Sequence, residues 1–300
     1  MTSRNAFITG ATGFIGSNLS KYLVQHSWNV HILLRNAQSD TQVLAEIKPK
    51  IHFHTYDGTT ESLIKIFKKA KPDIVFHLAS LYLAQHEPKD ILPLIQSNIV
   101  LGTQILEAMT ACGVANLVNA GTSWQHFHDE EYNPVCLYAA TKQAFEDILA
   151  YYVEAHAMKA VTLKLYDTYG PNDRRKKLFY LLKKVVAEQK PFAMSPGDQL
   201  IDLLYIDDVL EAFTIAANRL LEAKVKKSES YALSSSRPLK LKSIAEIYSK
   251  ITGKTLPIQW GGKPYRNREV MIPWTKGTRL PGWTPNVTLE EGIKKIIAEN

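Results

Sequence analysis

Tyr138 and Lys142 stand four residues apart in Leu137-Tyr138-Ala139-Ala140-Thr141-Lys142, which reads as the entry to a long helix. That spacing stacks a phenol and an ammonium on one helical face. An ammonium beside a phenol favours the phenolate and lowers its pKa from about 10, so the pair can trade a proton with a substrate oxygen near neutrality. Upstream, Asn116-Leu117-Val118-Asn119-Ala120 reads as a strand opening into Gly121-Thr122-Ser123-Trp124. Two hydroxyls thereby reach the carboxyl end of a parallel strand, where open α/β sheets bind their ligands. At the head of the chain, Ile8-Thr9-Gly10-Ala11-Thr12-Gly13-Phe14-Ile15-Gly16 runs a short apolar strand into three glycines and then a helix. Gly10 suits a tight turn, Gly13 lets backbone amides approach a pyrophosphate, and Gly16 lets the helix lie close on the strand. The anion would rest on the helix's positive end. The spacing is Gly-x-x-Gly-x-x-Gly, not the Gly-x-Gly-x-x-Gly of the standard dinucleotide fingerprint, so the turn needs the other residues beside it.

These groups need a frame, and the chain alternates strands with helices. A helix over about 17–26 leads to a strand at Trp28–Leu34, a third at Ile51–Tyr56, a helix over 60–70 and a fourth strand at Ile74–Ser80. A helix over 98–111, the fifth strand, the helix at 137–157 and a sixth strand at Ala160–Tyr166 complete the pattern. It is the signature of an α/β doubly wound parallel sheet covered on both faces. Arg35 follows the second strand, where the dinucleotide fold usually has an acid for the ribose 2′-hydroxyl; an arginine pairs instead with a 2′-phosphate, which favours NADP(H) over NAD(H). His52 and His54 share one side of a strand, but no carboxylate or cysteine accompanies them, so no metal site is expected.

Beyond residue 166 the pattern loosens. Residues 174–190 read as a basic helix whose Arg174-Arg175-Lys176-Lys177 and Lys183-Lys184 form a solvated face, and Asp207-Asp208 reads as the N-terminal cap of a helix to Leu221. Residues 222–230 read as a polar loop, followed by a short strand, a helix near 241–252, a tail rich in Pro, Trp and Gly, and a closing helix over 288–298. The expected division is a dinucleotide-binding domain over 1–166, joined by about 201–222, and a smaller C-terminal α/β substrate-binding domain from 167–200 and 223–300.

With 300 residues, 45% of them hydrophobic, the chain can bury a substantial core. Two cysteines, Cys112 and Cys136, build no disulfide framework, and the first strand begins within a few residues of Met1; a cytoplasmic protein without a membrane partner is expected. The formal charge of +7 favours an anionic partner without choosing between nucleic acid and a phosphorylated small molecule.

Several motifs in one order carry a resemblance: the Thr9–Gly16 turn, His77-Leu78-Ala79, Asn98 with Gly102-Thr103, Thr122, Tyr138-x-x-x-Lys142, Tyr169-Gly170-Pro171 and Tyr205-Ile206-Asp207-Asp208-Val209. Across nearly its whole length the chain resembles the extended short-chain dehydrogenase/reductase family, which works on nucleotide-activated sugars. Within it the chain looks most like the nucleotide-sugar reductases and synthases, including those making CDP-linked 3,6-dideoxyhexoses. The resemblance implies a Rossmann fold and a catalytic trio of Thr122, Tyr138 and Lys142. It also implies a cofactor held by Gly10, Thr12, Gly13, Phe14, Ile15, Gly16, Arg35, Asp57, Gly58, Leu78, Ala79, Asn98, Tyr138 and Lys142. Ser80, Ser123, Trp124, Asp167 and Arg268 are the implied substrate contacts, and a homodimer through the helices at 98–111 and 137–157 is the implied assembly. No nucleic acid is expected as partner.

Three departures bear on the reaction. The 4,6-dehydratases of the family follow their threonine with Asp-Glu; Thr122 is followed by Ser123 and Trp124, which argues against dehydration. Asp167 replaces a common Asn before Tyr-Gly-Pro, and Ile201 replaces an arginine that meets the diphosphate in many relatives, a role left to Arg266 or Arg268. The expected activity is NADP(H)-dependent reduction of a keto group on a nucleotide-linked deoxyhexose. An NAD-dependent epimerase is the alternative among enzymes, and a dinucleotide-sensing or RNA-binding protein the alternative without chemistry.

Overall fold

The computed structural model describes residues 4–298. In chain order it contains β1 (Asn5–Thr9), α1 (Phe14–Gln25), β2 (Asn29–Leu34), β3 (Ile51–Thr55), α2 (Thr60–Ala70), β4 (Ile74–His77), α3 (Ile91–Ile95), α4 (Leu101–Ala111), β5 (Asn116–Thr122), α5 (Leu137–His156) and β6 (Lys159–Leu165). After these come β7 (Asp167–Tyr169), α6 (Leu178–Glu188), β8 (Phe192–Met194), β9 (Leu200–Ile201), β10 (Leu203–Tyr205), α7 (Ile206–Leu221), β11 (Ser228–Leu233), β12 (Leu239–Lys240), α8 (Leu241–Thr252), β13 (Ile258–Trp260) and α9 (Leu289–Ala298).

Seven strands form one parallel sheet in the order β11-β6-β5-β4-β1-β2-β3. Strand order reverses on either side of β1, so the crevice outside the carboxyl ends of β1 and β4 is the place where a doubly wound sheet takes its ligand. The doubly wound parallel architecture expected of the alternation is the one observed. The strands are nearly continuous apolar runs because both faces are covered. On one face α1 and α7 bury Leu19, Leu23, Val209 and Phe213; on the other α2, α4 and α5 bury Leu63, Phe67, Ile105, Leu106 and Phe145. A third, small cluster of Leu182, Ala245, Tyr248 and Ile293 joins α6, α8 and α9.

Four local expectations need correction. The strand expected from Tyr231 begins at Ser228 and pairs with β6, so residues 228–233 belong to the central sheet and not to the C-terminal part. As an edge strand its first residues face solvent, which is why they read as loop. The basic helix starts at Leu178, not 174: the chain turns at Asn172 with φ 57°, and Arg175 is caught by Asp173 and by the carbonyl oxygen of Thr168, 2.8 Å away. Arg174-Arg175-Lys176-Lys177 is therefore not a helix face. Asp208 does not cap α7 either. Its carboxylate accepts the backbone N–H groups of Asn286 and Val287 at 2.9 and 3.1 Å, and Trp283 Nε1 donates to its carbonyl at 2.8 Å. Finally, the helix expected from Asn98 begins with α3, and a π-helical turn over 96–100 joins α3 to α4. By length and composition the stretch Pro88–Ala111 is apolar enough to cross a membrane, and α4 packs one side of it against α2 and α5.

Candidate active site

Gly10 turns the chain after β1 with φ 72°, and a Cβ there would stand 2.6 Å from the Ala79 nitrogen. No side chain fits, so the glycine turn lies directly on Leu78-Ala79 beyond β4. Ala79 N–H donates to Thr9 Oγ1 at 3.1 Å, and Leu78 N–H to the Thr9 carbonyl at 3.3 Å. A Cβ on Gly16 would stand 2.8 Å from Ala11 Cα, so only glycine lets α1 come this close. The N-terminus of α1, with Gly13 as its cap residue, has no side-chain cap and no acid in its first turn. Its leading N–H groups are free to hold a phosphate, as the fit of a dinucleotide requires. Thr12 is exposed beside them, and Phe14 and Ile15 pack partly into the core. Arg35 follows β2, exposed and in no ion pair among the described residues. Asp57 accepts from Thr59 N–H and Oγ1, and with Gly58, φ 99°, it shapes the turn after β3.

Thr122 ends β5 and Tyr138 opens α5, and the Tyr138 phenol lies within hydrogen-bonding reach of Thr122 and Ser80. Lys142, one turn on, is buried to 2% exposure. Tyr138 and Lys142, expected from spacing, and Thr122, implied by the resemblance, thus lie at one end of β5 and α5. Their electrostatics differ from the sequence expectation. Burial pushes the Tyr138 phenol up to about 12, against the pull of its hydrogen bonds with Ser80 and Thr122; Lys142, itself brought down to about 8 by burial, does not hold the phenol near neutrality. Desolvation outweighs the neighbouring cation. In the free protein Tyr138 is a proton donor.

Asn98 was expected against the cofactor, yet its buried amide is fully engaged elsewhere. It accepts from Leu81 N–H at 2.7 Å and donates to the Leu81 carbonyl and to Thr141 Oγ1 at 3.0 and 2.9 Å. Placed on the π-helical turn, it ties the loop after β4 to the first turn of α5. Thr141 Oγ1 in turn donates to the Tyr138 carbonyl at 2.7 Å.

Beside this centre opens a cleft of about 1150 Å³, lined by Tyr82, Trp124, Asp167, Arg175, Lys177 and Arg266 among others. Tyr138 is not part of its wall. The cleft reaches it through Tyr82, whose ring lies edge-on to Tyr138 at 5.1 Å and tilted against Trp124 at 5.6 Å. A small cavity of about 120 Å³ lies behind Trp124, between Ser123, Asp167 and Arg266. Asp167 pairs with Lys177 at 2.7 Å; burial alone would raise its pKa, but Lys177, Arg175 and Arg266 hold the carboxyl below its usual range. Arg175 stacks over Phe14 at 4.4 Å, and Arg266 binds Glu269 and faces Trp124. The basic residues read as a solvated helix face therefore line the cleft, with Arg175, Lys176 and Lys177 before α6 and Lys183 and Lys184 on it.

Arg268 does not reach this cleft. It bonds Asn133 and lies over Phe127, while Arg266, two residues earlier, lines both cavities. Sequence reasoning also missed Tyr82, which sits in an irregular loop without periodicity. Glu146 was missed although its spacing, four residues past Lys142 on the same helix, could have found it.

The family model for the NAD dependent epimerase/dehydratase family matches residues 6–231. Among curated proteins, the CDP-abequose synthase of Yersinia pseudotuberculosis is 29% identical over 272 residues, covering 89% of this chain and 90% of that protein. The UDP-glucuronate 4-epimerase of Thermodesulfobacterium geofontis is 27% identical, covering 97% and 94%. Among solved structures, the UDP-glucose 4-epimerase of Stenotrophomonas maltophila, with bound NAD and formylated UDP-arabinopyranose, superposes with a TM-score of 0.88 at 20% identity, covering 99% and 97%.

Proposed function

The chain belongs to the NAD dependent epimerase/dehydratase family, the extended short-chain dehydrogenase/reductase group of nucleotide-sugar enzymes, and from that premise we propose that it reduces a keto group on a nucleotide-activated deoxyhexose with NADPH. It is a nucleotide-sugar-modifying enzyme that uses a nicotinamide dinucleotide. The reading without chemistry is thereby set aside. The observation that carries the reductive reading is Arg35 after β2 with no carboxylate over residues 34–39, and Tyr138, in reach of Thr122 and Ser80, is the group that would supply the proton. A bound reduced nicotinamide would supply the hydride to the carbonyl carbon. Tyr138 donates a proton to the carbonyl oxygen, Thr122 Oγ1 hydrogen-bonds that oxygen and steadies the charge developing on it, and the Lys142 ammonium holds the nicotinamide ribose. Likeness to a CDP-abequose synthase supports a CDP-linked sugar; a dTDP-linked 4-keto sugar fits the same chemistry.

The glycine turn, with Leu78-Ala79 beneath it, would carry the pyrophosphate, and Arg35 the 2′-phosphate, since residues 34–39 contain no carboxylate. Arg266, Arg175 and Lys177 would meet the substrate diphosphate, with Asp167, Ser123, Trp124 and Ser80 toward the sugar. The substrate part we assign to 167–200 and the residues after β11.

A second reading, an NAD-keeping 4-epimerase, is favoured by the NAD in the solved relative and by the likeness to a UDP-glucuronate 4-epimerase. Freshly purified protein should release no dinucleotide on denaturation and should bind NADPH at least about 10-fold more tightly than NADH, as expected for one charge-assisted pair. Stoichiometric NAD in the released fraction would decide for the epimerase.

A further inference from the structure

Glu146 lies one turn beyond Lys142 on α5 and reaches both the turn after β5 and strand β6. Its Oε1 accepts from Gln125 Nε2 at 3.0 Å, and its Oε2 faces Lys164 Nζ on β6 at 3.3 Å. The two charged side chains are only 15% and 7% exposed. Gln125 carries the link forward, because its Oε1 accepts the Thr122 N–H at 3.1 Å. Its Nε2 also donates to Gln143 Oε1 at 2.7 Å, which fixes the amide from the α5 side. Gly121 makes the approach possible: a Cβ there would stand 3.1 Å from Glu146 Oε1 and 2.9 Å from Thr162 Cγ2. The pair is thereby held by buried partners on several sides, unlike an ion pair at the surface.

We infer that Glu146 is a positioning residue which, without touching substrate, sets the Thr122 end of β5 through Gln125 and keeps the charge on Lys142. The inference rests on reading Tyr138, Thr122 and Lys142 as the reacting set. The charged and titratable groups that act on Lys142 are Glu146 from α5 and His77 from β4, while Lys164 from β6 pairs with Glu146 at 3.3 Å. His77, which burial and Lys142 bring down to about 3, stays neutral. Glu146 is thus the carboxylate that opposes the burial of Lys142, whose pKa lies at about 8.

The test is a titration of the Lys142 ε-carbon by NMR in protein labelled with ¹³C-lysine, the signal being assigned by its loss in Lys142→Met. Glu146→Gln keeps the shape and removes the charge, so the midpoint should fall by about one pH unit. The alkaline limb of NADPH-dependent turnover should fall with it. Lys164→Met removes the competing cation, and the midpoint should rise. Opposite shifts separate a fixed charge from lost packing, which would lower both melting temperatures and move neither midpoint. An unmoved Lys142 midpoint in Glu146→Gln overturns the inference; if that variant does not fold, Glu146→Asp, which keeps the charge and draws it back by one methylene, should lower the midpoint by less, and an unmoved midpoint there overturns it. Midpoints that move as stated in a protein reducing no keto sugar would leave the inference standing and remove the reductive reading.

Discussion

At the scale of single residues, the Tyr138 phenol is the group that would supply the proton. With the Tyr138 pKa pushed up to about 12, the proton is available for reduction throughout the neutral range. Tyr138→Phe should lower turnover by about 100-fold or more while dinucleotide binding stays near wild type, a split read by steady-state kinetics beside fluorescence titration. Turnover close to wild type would remove Tyr138 from the reaction. Thr122→Ala should cost less, since it leaves the proton donor in place. That Tyr138 and Lys142 share a helix face and that Thr122 closes a strand was legible in the sequence, because helix periodicity and a strand end are short-range signals. Arg266 and Arg268 were not distinguishable, because the loop that holds them has no period and which arginine turns inward depends on Glu269 and on Trp124, far away in the chain. The acidity of Tyr138 was misjudged for a related reason: the lysine is visible in sequence, whereas the burial that outweighs it is a property of the packed site.

At the scale of elements, the glycine turn and α1 act as one part. Their residues were readable because a missing Cβ is a local demand, satisfied here by Leu78-Ala79 and Ala11. Gly16→Ala would set a Cβ 2.8 Å from Ala11 Cα and closer still to the Gly10 carbonyl, backbone that cannot step aside. Helix α1 would have to lift from β1. NADPH affinity should fall by about 10-fold or more, since a displacement of the helix N-terminus loosens every amide aimed at the phosphate; an unchanged titration would show that the turn does not carry the cofactor. The π-helical turn at 96–100 was invisible to a reading by 3.6-residue period. It adds one residue to a turn, and thereby brings Asn98 to bear on Leu81 and Thr141. The start of α6 was misplaced because a run of cations suits a helix, while the capture of Arg175 by Asp173 and Thr168 is a tertiary event.

At the scale of the whole molecule, the fold encloses histidines that must stay neutral. Burial and neighbouring rings bring His31 down to about 4, burial and Lys142 bring His77 down to about 3, and burial lowers His54 and His126 as well. His31 Nδ1 lies 2.9 Å from His54 Nε2, a contact that two charged rings could not keep. The unfolded chain takes up these protons near pH 6.5, the folded chain only at lower pH, so the unfolded state binds more protons in between. Stability is therefore present above about pH 6.5 and is lost as the pH falls toward 4. The melting temperature should drop by several degrees between about pH 7 and about pH 5; a flat profile over that range would mean that the four rings are not held neutral. The fastening of Asp208 to Asn286, Val287 and Trp283 bears on the order in which the protein is made. Helix α7 leaves the ribosome well before those residues do, with a carboxylate that is buried in the finished fold and has no partner yet. Early sheet and late anchor cannot be joined until residues 283–287 have emerged, so the incomplete chain must be kept from collapsing on the wrong neighbour for that interval.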